Sequence, residues 1–254
     1  MHKFDEFPAA DGTAISSLGL ARDDGLRASF GHVTTWIFDL DNTLYPPDSG
    51  IWPKINERIT LFLAGLFGLD GLSALALRRH YYIRYGTTLR GLIEENIDGV
   101  ERYLDFVHDI DRSALQPDPA LAREVGQLPG RKLIFTNGSR DHAILTARQL
   151  GLDGLFEDAF DIVAARLTPK PAEEAYLAFC DRFDVDPRRA AMFEDVARNL
   201  TVPKAKGMRT VLVTAKPGAV DHRELHDRAG ENAAVDYVTD DLGEFLARLN
   251  AGRV

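Results

Sequence analysis

The chain has 254 residues, a formal net charge of −9, 45% hydrophobic residues and 27% charged residues. This balance excludes a largely disordered chain, and the length suggests one large domain or a domain that carries an insertion. Because no dense Lys/Arg cluster accompanies the negative charge, we expect no nucleic-acid polymer as a partner, whereas a small phosphorylated molecule remains compatible with it.

Nothing in the sequence predicts a membrane span or a secretory signal. The longest apolar stretch, residues 59–69, is interrupted by Thr60 and is shorter than the roughly 20 residues that a span needs. The first residues include early acids and no apolar run. The single cysteine, Cys180, cannot form an intramolecular disulfide, which fits a reducing cytosol. We therefore expect a cytoplasmic protein without membrane contact, and the oligomeric state stays open.

The N-terminal part changes character at residue 33. Residues 1–32 are polar, rich in Gly and Asp and weakly periodic, so we predict a loose or partly ordered leader. Residues 33–38 are mostly β-branched and aromatic and predict a buried strand, which ends in the polar loop of residues 39–43.

Residues 47–114 have a helical hydrophobic period. Ile51, Ile55 and Ile59 recur at the spacing of one helix face, and Gly68 predicts the end of that helix. Three shorter helices are predicted by apolar residues at 72–82, 89–93 and 100–107. We therefore predict a small all-helical cap, inserted after the first strand.

Strands and helices alternate from about residue 115 onward. Strands are predicted at residues 132–136, 160–163, 190–193, 209–213 and 235–238. Such alternation predicts an α/β fold with a Rossmann-like, doubly wound parallel sheet. The core of this fold is expected to comprise residues 33–46 and 115–254.

Polar residues follow the predicted strands at their carboxyl ends, where ligands of such sheets gather. Asp39 and Asp41 lie two apart after the first strand, so both side chains leave an extended chain on the same side. This arrangement suits a metal-bound nucleophile beside a proton-transferring acid. The alternative is a solvated turn that only closes the strand.

Two further segments offer phosphate ligands. Residues 136–139, Thr-Asn-Gly-Ser, combine a hydroxyl with free backbone N–H groups at a predicted helix start, which suits phosphate. Lys170 lies between two prolines, which restrain the backbone on both sides of it. This restraint helps if the Lys170 ammonium must offset the negative charges of a carboxylate and a phosphate. The alternatives are a capping loop without ligand and an exposed lysine in a turn.

The acidic pair Glu194 and Asp195 follows an apolar strand, and Asn199 lies about one helical turn further on. Paired acids without an adjacent base favour a hard cation, and oxygen ligands suit Mg²⁺. The alternative is a surface pair stabilised by a helix dipole. Four such segments at the strand ends of one sheet together favour an active site.

These motifs resemble those of the haloacid dehalogenase (HAD) superfamily. DLDNT at 39–43 resembles the first motif, IFTNG at 134–138 the second, Lys170 the third and FEDVARNL at 193–200 the fourth. The helical insertion looks like a C1-type cap. A narrower resemblance, to the pyrimidine 5′-nucleotidase-like branch, is based on DLDNTLYP, YGTTLRGL, FTNGSRDHA and FEDVARNL.

The resemblance implies a Mg²⁺-dependent phosphatase. Asp39 would attack phosphorus and form an aspartyl-phosphate, and Asp41 would protonate the leaving group and then activate water. Mg²⁺ would be held by the Asp39 carboxylate, the Asp41 carbonyl and Asp195, with Glu194 bound directly or through water. The narrower resemblance implies a pyrimidine nucleoside 5′-monophosphate, a small phosphate monoester, as substrate.

The same resemblance assigns the phosphate ligands. Thr136, the Asn137 N–H and Lys170 would bind the phosphate oxygens, and Asn199 would help to orient the lysine. These assignments agree with what phosphoryl transfer requires, which is mostly positioning and charge neutralisation.

Selectivity is expected to reside in the cap. Gly86 interrupts the helical pattern and predicts a loop from Tyr85 to Thr88 that hangs over the site. His142, just after the phosphate loop, is a further candidate. Three other aromatic residues either stack on a base or fill the cap core: Trp52, Tyr81 and Tyr82.

Other activities remain open at this point. A haloacid dehalogenase needs neither Asp41 nor a metal, which favours the phosphatase. A sugar or other small-metabolite phosphatase, or a phosphomutase of the β-phosphoglucomutase type, would retain all these residues. A non-catalytic interaction protein would have no need of them.

Overall fold

A computed structural model of the chain describes residues 23–98, 102–219, 227 and 233–251. Six strands form one sheet, and every neighbouring pair of strands is parallel. The strands are β1 (Thr35–Phe38), β2 (Arg131–Phe135), β3 (Asp158–Phe160), β4 (Ala190–Glu194), β5 (Arg209–Val213) and β6 (Tyr237–Thr239). Their order, β3-β2-β1-β4-β5-β6, runs outward from β1 in both directions. The predicted doubly wound parallel sheet is confirmed.

Helices flank the sheet and also form the insertion after β1. They are α1 (Asp23–Phe30), α2 (Ile51–Phe67), α3 (Gly71–Tyr85), α4 (Thr88–Glu94), α5 (Tyr103–His108), α6 (Pro119–Gln127), α7 (Arg140–Gln149), α8 (Glu173–Phe183), α9 (Thr201–Ala205) and α10 (Leu242–Asn250). Helices α2 to α5 precede α6 and β2, so the all-helical insertion after the first strand is confirmed. The predicted fourth cap helix also included Val100, which lies outside the described residues.

The two central strands are apolar because helices cover both faces of the sheet. Every residue of β1 and β4 is buried. Alternate residues point to opposite faces: Phe38 and Phe193 stack at 4.7 Å on one face, whereas Ile37 and Met192 belong to the core on the other. This packing holds the carboxyl ends of the two strands side by side.

The cap has a core of its own. Leu63, Ala74 and Leu92 are fully buried there, together with Tyr81. Tyr81 crosses α4 at Gly91, where an added Cβ would lie 2.5 Å from the tyrosine ring. A glycine is therefore required at this crossing, because the two helices approach too closely for a side chain.

The last part of the predicted leader is ordered. Residues 23–30 form α1, whose Leu26 and Phe30 are buried, and the Phe30 ring stacks on Trp36 at 6.0 Å. Burying two such side chains contributes about 1.5–3 kcal/mol each, which suffices to dock a short helix. Eight residues are too few for a clear hydrophobic period in the sequence. Residues 1–22 of the predicted leader lie outside the described residues.

The third strand begins two residues earlier and ends three residues earlier than predicted. We predicted residues 160–163, whereas β3 ends at Phe160. The reason is Asp161, whose carboxylate accepts hydrogen bonds from the N–H groups of Ala164 and Arg140 at 2.8 and 3.0 Å. Such local bonds favour a turn over the strand ladder. The last strand, predicted at 235–238, lies one to two residues later, at Tyr237–Thr239.

Among the described residues, no single helix is long and apolar enough to cross a membrane. Helices Ile51–Phe67 and Gly71–Tyr85 reach the required length and composition only as a pair, and they are bent by 108° relative to one another.

Candidate active site

Three neighbouring strands deliver polar side chains to one edge of the sheet. Asp39 follows β1, Thr136 follows β2, and Glu194 and Asp195 end or follow β4. The strand ladder continues into these residues, since the Asp39 N–H donates to Phe193 O at 2.9 Å. All of them line a cavity between the sheet edge and the cap. We call its base the floor, which consists of Asp39, Thr136, Lys170, Glu194 and Asp195.

Lys170 joins the carboxylates of the floor. Its ammonium lies 2.7 Å from Asp39 Oδ1 and 2.7 Å from Glu194 Oε2, and it donates to Phe135 O at 2.8 Å. Only 1% of the lysine side chain is exposed. Burial alone would lower the pKa of Lys170, but the two carboxylates outweigh burial and raise it. The lysine is therefore a fixed positive charge beneath the cavity.

Asn137 positions this lysine. Its side-chain oxygen accepts from the Lys170 N–H at 2.9 Å, and its side-chain nitrogen donates to Lys170 O at 3.4 Å. We predicted only a backbone role for Asn137, in phosphate binding. The structure adds a side-chain role, which links the loop after β2 to the loop that carries the lysine.

The floor holds more negative than positive charge. Burial, followed by the charge of Glu194, raises the pKa of Asp39 to about 8, although Lys170 opposes this shift. Oxygen atoms of Asp39, Glu194 and Asp195 lie within 4.8 Å of one another, so this buried cluster can hold a metal ion. A divalent cation fits the donor set, because the donors are carboxylate oxygens and their charge exceeds that of the lysine.

Asn199 acts on Glu194. Its side-chain nitrogen donates to Glu194 Oε1 at 3.0 Å, and the Val196 N–H donates to the same oxygen at 3.3 Å. We predicted that Asn199 orients the lysine. The contact runs through Glu194, whose other oxygen accepts from Lys170.

Asp41 is held by side chains of the core. His142 Nε2 lies 2.8 Å from Asp41 Oδ1, and the Tyr45 hydroxyl donates to the same oxygen. Burial alone would raise the pKa of Asp41, but His142 and the hydrogen bonds from His142 and Tyr45 outweigh burial and lower it. His142 was a predicted site residue. Tyr45 was missed, although it lies only four residues after Asp41 in the sequence.

His142 itself is enclosed. It lies in the first turn of α7, which Ser139 caps by accepting from the His142 N–H at 3.3 Å. The His108 ring stacks on the His142 ring at 4.4 Å, and His108 Nδ1 lies 3.0 Å from Ser139 Oγ. Burial is the largest cause that lowers the pKa of His108, to about 3. Sequence reasoning missed His108, because only the folded cap brings it to this place.

Two smaller contacts complete the loops around the floor. Thr136 is buried, and its hydroxyl accepts from the Gly138 N–H at 2.9 Å, so it organises the loop after β2. Asn42 Nδ2 donates to Asp195 Oδ2 at 3.4 Å. Asn42 adopts φ 61°, a conformation that asparagine tolerates better than most residues. It was not among the predicted site residues.

The predicted cap loop proves to be a short turn. Helix α3 ends at Tyr85 and α4 begins at Thr88, so only Gly86 and Thr87 lie between them. Tyr85 is not among the described residues that line the cavity, and its hydroxyl donates to Glu95 at 3.3 Å. Thr88 is buried and does line the cavity. The expected specificity role of Tyr85 is therefore wrong in geometry, whereas that of Thr88 remains compatible with it.

Residues of the inserted helices α2, α3 and α4 form another side of the cavity. We call this side the cap wall, which consists of Trp52, Asn56, Arg78, Tyr82 and Thr88. The Tyr82 hydroxyl donates to Asp227 at 2.6 Å, and the Arg198 guanidinium lies 4.9 Å from the Tyr82 ring centre. Tyr81, by contrast, packs in the cap core. The wall thus offers the aromatic side chains of Trp52 and Tyr82 and the guanidinium of Arg78.

The structure thus combines a parallel sheet, buried carboxylates and a lysine at its carboxyl edge, and a helical insertion above them. Residues 33–207 match the family model described as "Hydrolase: haloacid dehalogenase-like hydrolase", so the chain belongs to this family. Over 152 residues it is 30% identical to "Phosphate metabolism protein 8" of Saccharomyces cerevisiae (strain ATCC 204508 / S288c). That match covers 56% of this chain and only 46% of the yeast protein.

Solved structures show the same fold at low identity. The L-2-haloacid dehalogenase from Xanthobacter autotrophicus matches with a TM-score of 0.52 and 17% identity, over 87% of this chain and 99% of that one. The L-2-haloacid dehalogenase PA0810 matches with a TM-score of 0.54 and 16% identity, over 87% and 100% of the two chains. Such identities establish the fold and leave the reaction open.

Proposed function

We propose that the chain is a Mg²⁺-dependent phosphate monoester hydrolase that works through an aspartyl-phosphate on Asp39. The observation that carries this proposal is the second carboxylate. Asp41 is fixed by His142 and Tyr45 beside a charged floor. A dehalogenase releases halide, which needs no proton from the protein, whereas an alkoxide leaving group does.

Asp39 is assigned as the nucleophile. Its carboxylate lies at the sheet edge, and its Oδ1 accepts from Lys170 at 2.7 Å. When Asp39 attacks, it brings a phosphoryl group next to Lys170, which is already fixed there. The ammonium can then stabilise the negative charge that is distributed over the phosphoryl oxygens. The Thr136 hydroxyl and the Asn137 N–H are assigned to the remaining phosphate oxygens.

Asp41 is assigned both proton transfers. It protonates the leaving alkoxide and then accepts a proton from the water that attacks the aspartyl-phosphate. Its lowered pKa suits the second of these steps. A bound phosphate is a like charge, which raises the carboxyl pKa and favours the protonated form that the first step requires.

The metal is assigned to Asp39 and Asp195, with the Asp41 carbonyl as a further ligand. Both oxygens of Glu194 already accept hydrogen bonds, from Asn199 and Lys170, so we assign Glu194 to contact through water. Oxygen donors without a thiolate favour Mg²⁺ over Zn²⁺. When bound, the cation supplies charge neutralisation for the phosphoryl oxygens.

We further propose a pyrimidine nucleoside 5′-monophosphate as the substrate. The motif resemblance supports this, as do the aromatic residues Trp52 and Tyr82, which line the same cavity as the floor. Aromatic faces at this position suit a stacked base. The name of the yeast relative, a phosphate metabolism protein, agrees with phosphate chemistry in general.

A substrate screen tests the proposed function. The purified protein with Mg²⁺ is expected to release phosphate from UMP and CMP, and no chloride from L-2-chloropropionate. Sugar phosphates serve as the second arm, with and without a catalytic sugar bisphosphate, because a phosphomutase would depend on the bisphosphate. Chloride release without phosphate release would overturn the phosphatase assignment in favour of a dehalogenase.

A further inference from the structure

Arg112 lies in the segment between α5 and α6, and its guanidinium reaches the core. Nη2 lies 2.9 Å from His142 Nδ1 and donates to His108 O at 3.0 Å. Nη1 donates to Ile110 O at 3.2 Å, and Nε donates to Thr146 Oγ1 at 3.3 Å. These bonds fix the guanidinium between the end of the cap and the first turns of α7.

The contact decides which nitrogen of His142 carries hydrogen. A guanidinium has donors and no acceptor, so His142 Nδ1 must accept and has no hydrogen. Nε2 then carries the ring hydrogen and donates it to Asp41 Oδ1 at 2.8 Å. The reverse tautomer would set two donors against each other at Arg112 and two acceptors against each other at Asp41. The histidine side chain is fully buried, so water cannot relieve that mismatch.

We propose that Arg112 is a positioning residue for Asp41. By holding His142 as the Nε2–H tautomer, it keeps a donor directed at Asp41 and fixes the carboxyl group that transfers protons. The guanidinium also binds the His108 carbonyl at the end of α5, so the orientation of Asp41 depends on the segment that joins cap and core. This role rests on the proposed phosphatase chemistry, because Asp41 has no proton to transfer in a dehalogenase.

The chain offers a matched control in Arg58. Its Nε donates to Phe106 O at 2.9 Å and its Nη2 lies 3.2 Å from Asp109 Oδ2. Arg58 therefore ties the same stretch of chain to the cap without touching His142. Loss of Arg58 tests whether a general loosening of this segment explains any effect of Arg112.

The first experiment measures the tautomer directly. Nitrogen-detected NMR of histidine-labelled protein distinguishes Nδ1–H from Nε2–H, and His142→Gln identifies the resonances that belong to His142. We expect the Nε2–H form in the wild type and in Arg58→Met, and a mixture of tautomers in Arg112→Met. An Nδ1–H form in the wild type, or an unchanged pure Nε2–H form in Arg112→Met, would overturn the proposal. If Arg112→Met does not fold, Arg112→Leu, which also lacks donors, replaces it.

The second experiment uses leaving groups of different acidity. An alkyl phosphate needs a proton from Asp41, whereas nitrophenolate leaves without one. We expect Arg112→Met to lower kcat/KM by about 10- to 100-fold for the alkyl ester and by less than about 3-fold for nitrophenyl phosphate. Arg58→Met should affect both esters equally. Equal losses of both esters in Arg112→Met would refute the positioning role.

A double variant separates this role from the proposed function. A glutamine at position 142 can donate to Asp41 without any choice of tautomer. We therefore expect that adding Arg112→Met to His142→Gln changes kcat/KM by no more than about twofold, because the two residues act in series. A full additional loss would contradict the coupling. If the wild type hydrolyses neither ester, the proposed function fails, whereas the NMR comparison still decides whether Arg112 sets the tautomer.

Discussion

The floor and the cap wall line one cavity, yet they are built differently. Every floor side chain is buried, and the Lys170 ammonium lies 2.7 Å from each of two floor carboxylates. The cap wall comes from helices of the insertion, and of its members only Thr88 is buried. Under the proposed function, this difference assigns the reaction to the floor, where little change should be tolerated, and the choice of substrate to the wall.

The largest loss of activity is expected from a substitution in the floor, at Asp39. Asp39→Asn removes the nucleophile and a metal ligand, so we expect kcat to fall by at least about 10³-fold with the fold intact. Phosphate release measures the activity, and thermal unfolding measures the fold. Asp153→Asn, at an exposed position, is the matched control and should keep its activity. Retention of more than a few per cent of activity in Asp39→Asn would show that another group is the nucleophile.

The second prediction concerns the metal that the floor is proposed to bind and its proposed ligand Asp195. We expect EDTA to abolish phosphate release and Mg²⁺ to restore it, because the floor carboxylates outnumber the lysine. Asp195→Asn removes one proposed ligand and should raise the half-saturating Mg²⁺ concentration by about 100-fold or more, since even partners of metal ligands contribute 10- to 100-fold. Full activity after exhaustive EDTA treatment would rule out the metal assignment.

The smallest expected effect lies in the cap wall. We expect kcat/KM to be about 10- to 200-fold higher for UMP and CMP than for AMP and GMP, the range that pocket shape usually provides. Trp52→Leu removes a flat face and should narrow this preference, while nitrophenyl phosphate turnover stays close to that of the wild type. Equal or faster purine turnover by the intact protein would refute pyrimidine selectivity and leave the floor chemistry untouched.

The difference between the floor and the cap wall also explains which parts of the site the sequence could predict. The parallel sheet and the positions of Asp39, Thr136 and Glu194 follow from apolar strands that end in polar residues, because neighbouring strand ends meet at one edge. The end of the strand before Lys170 was placed three residues late, since the turn that Asp161 makes by accepting two N–H groups is a local preference that competes with an apolar pattern.

Contacts between distant segments were beyond prediction from one sequence. Asp41 and His142 are 101 residues apart, and Arg112 reaches His142 from the far end of the cap. Tyr85 was misjudged for a related reason: a glycine predicts a break between helices, but not whether the flanking side chain turns to the cavity or to Glu95. Such choices depend on how the packed helices face one another.

Trapping the intermediate tests the central claim most directly. The protein is mixed with Mg²⁺ and a labelled phosphate monoester, quenched in acid during turnover, reduced with borohydride and mapped by mass spectrometry. An aspartyl-phosphate on Asp39 would be recovered as homoserine at position 39, and Asp39→Asn protein would yield none. Label on His142 or another side chain, or turnover with Asp39 unmodified, would contradict the account.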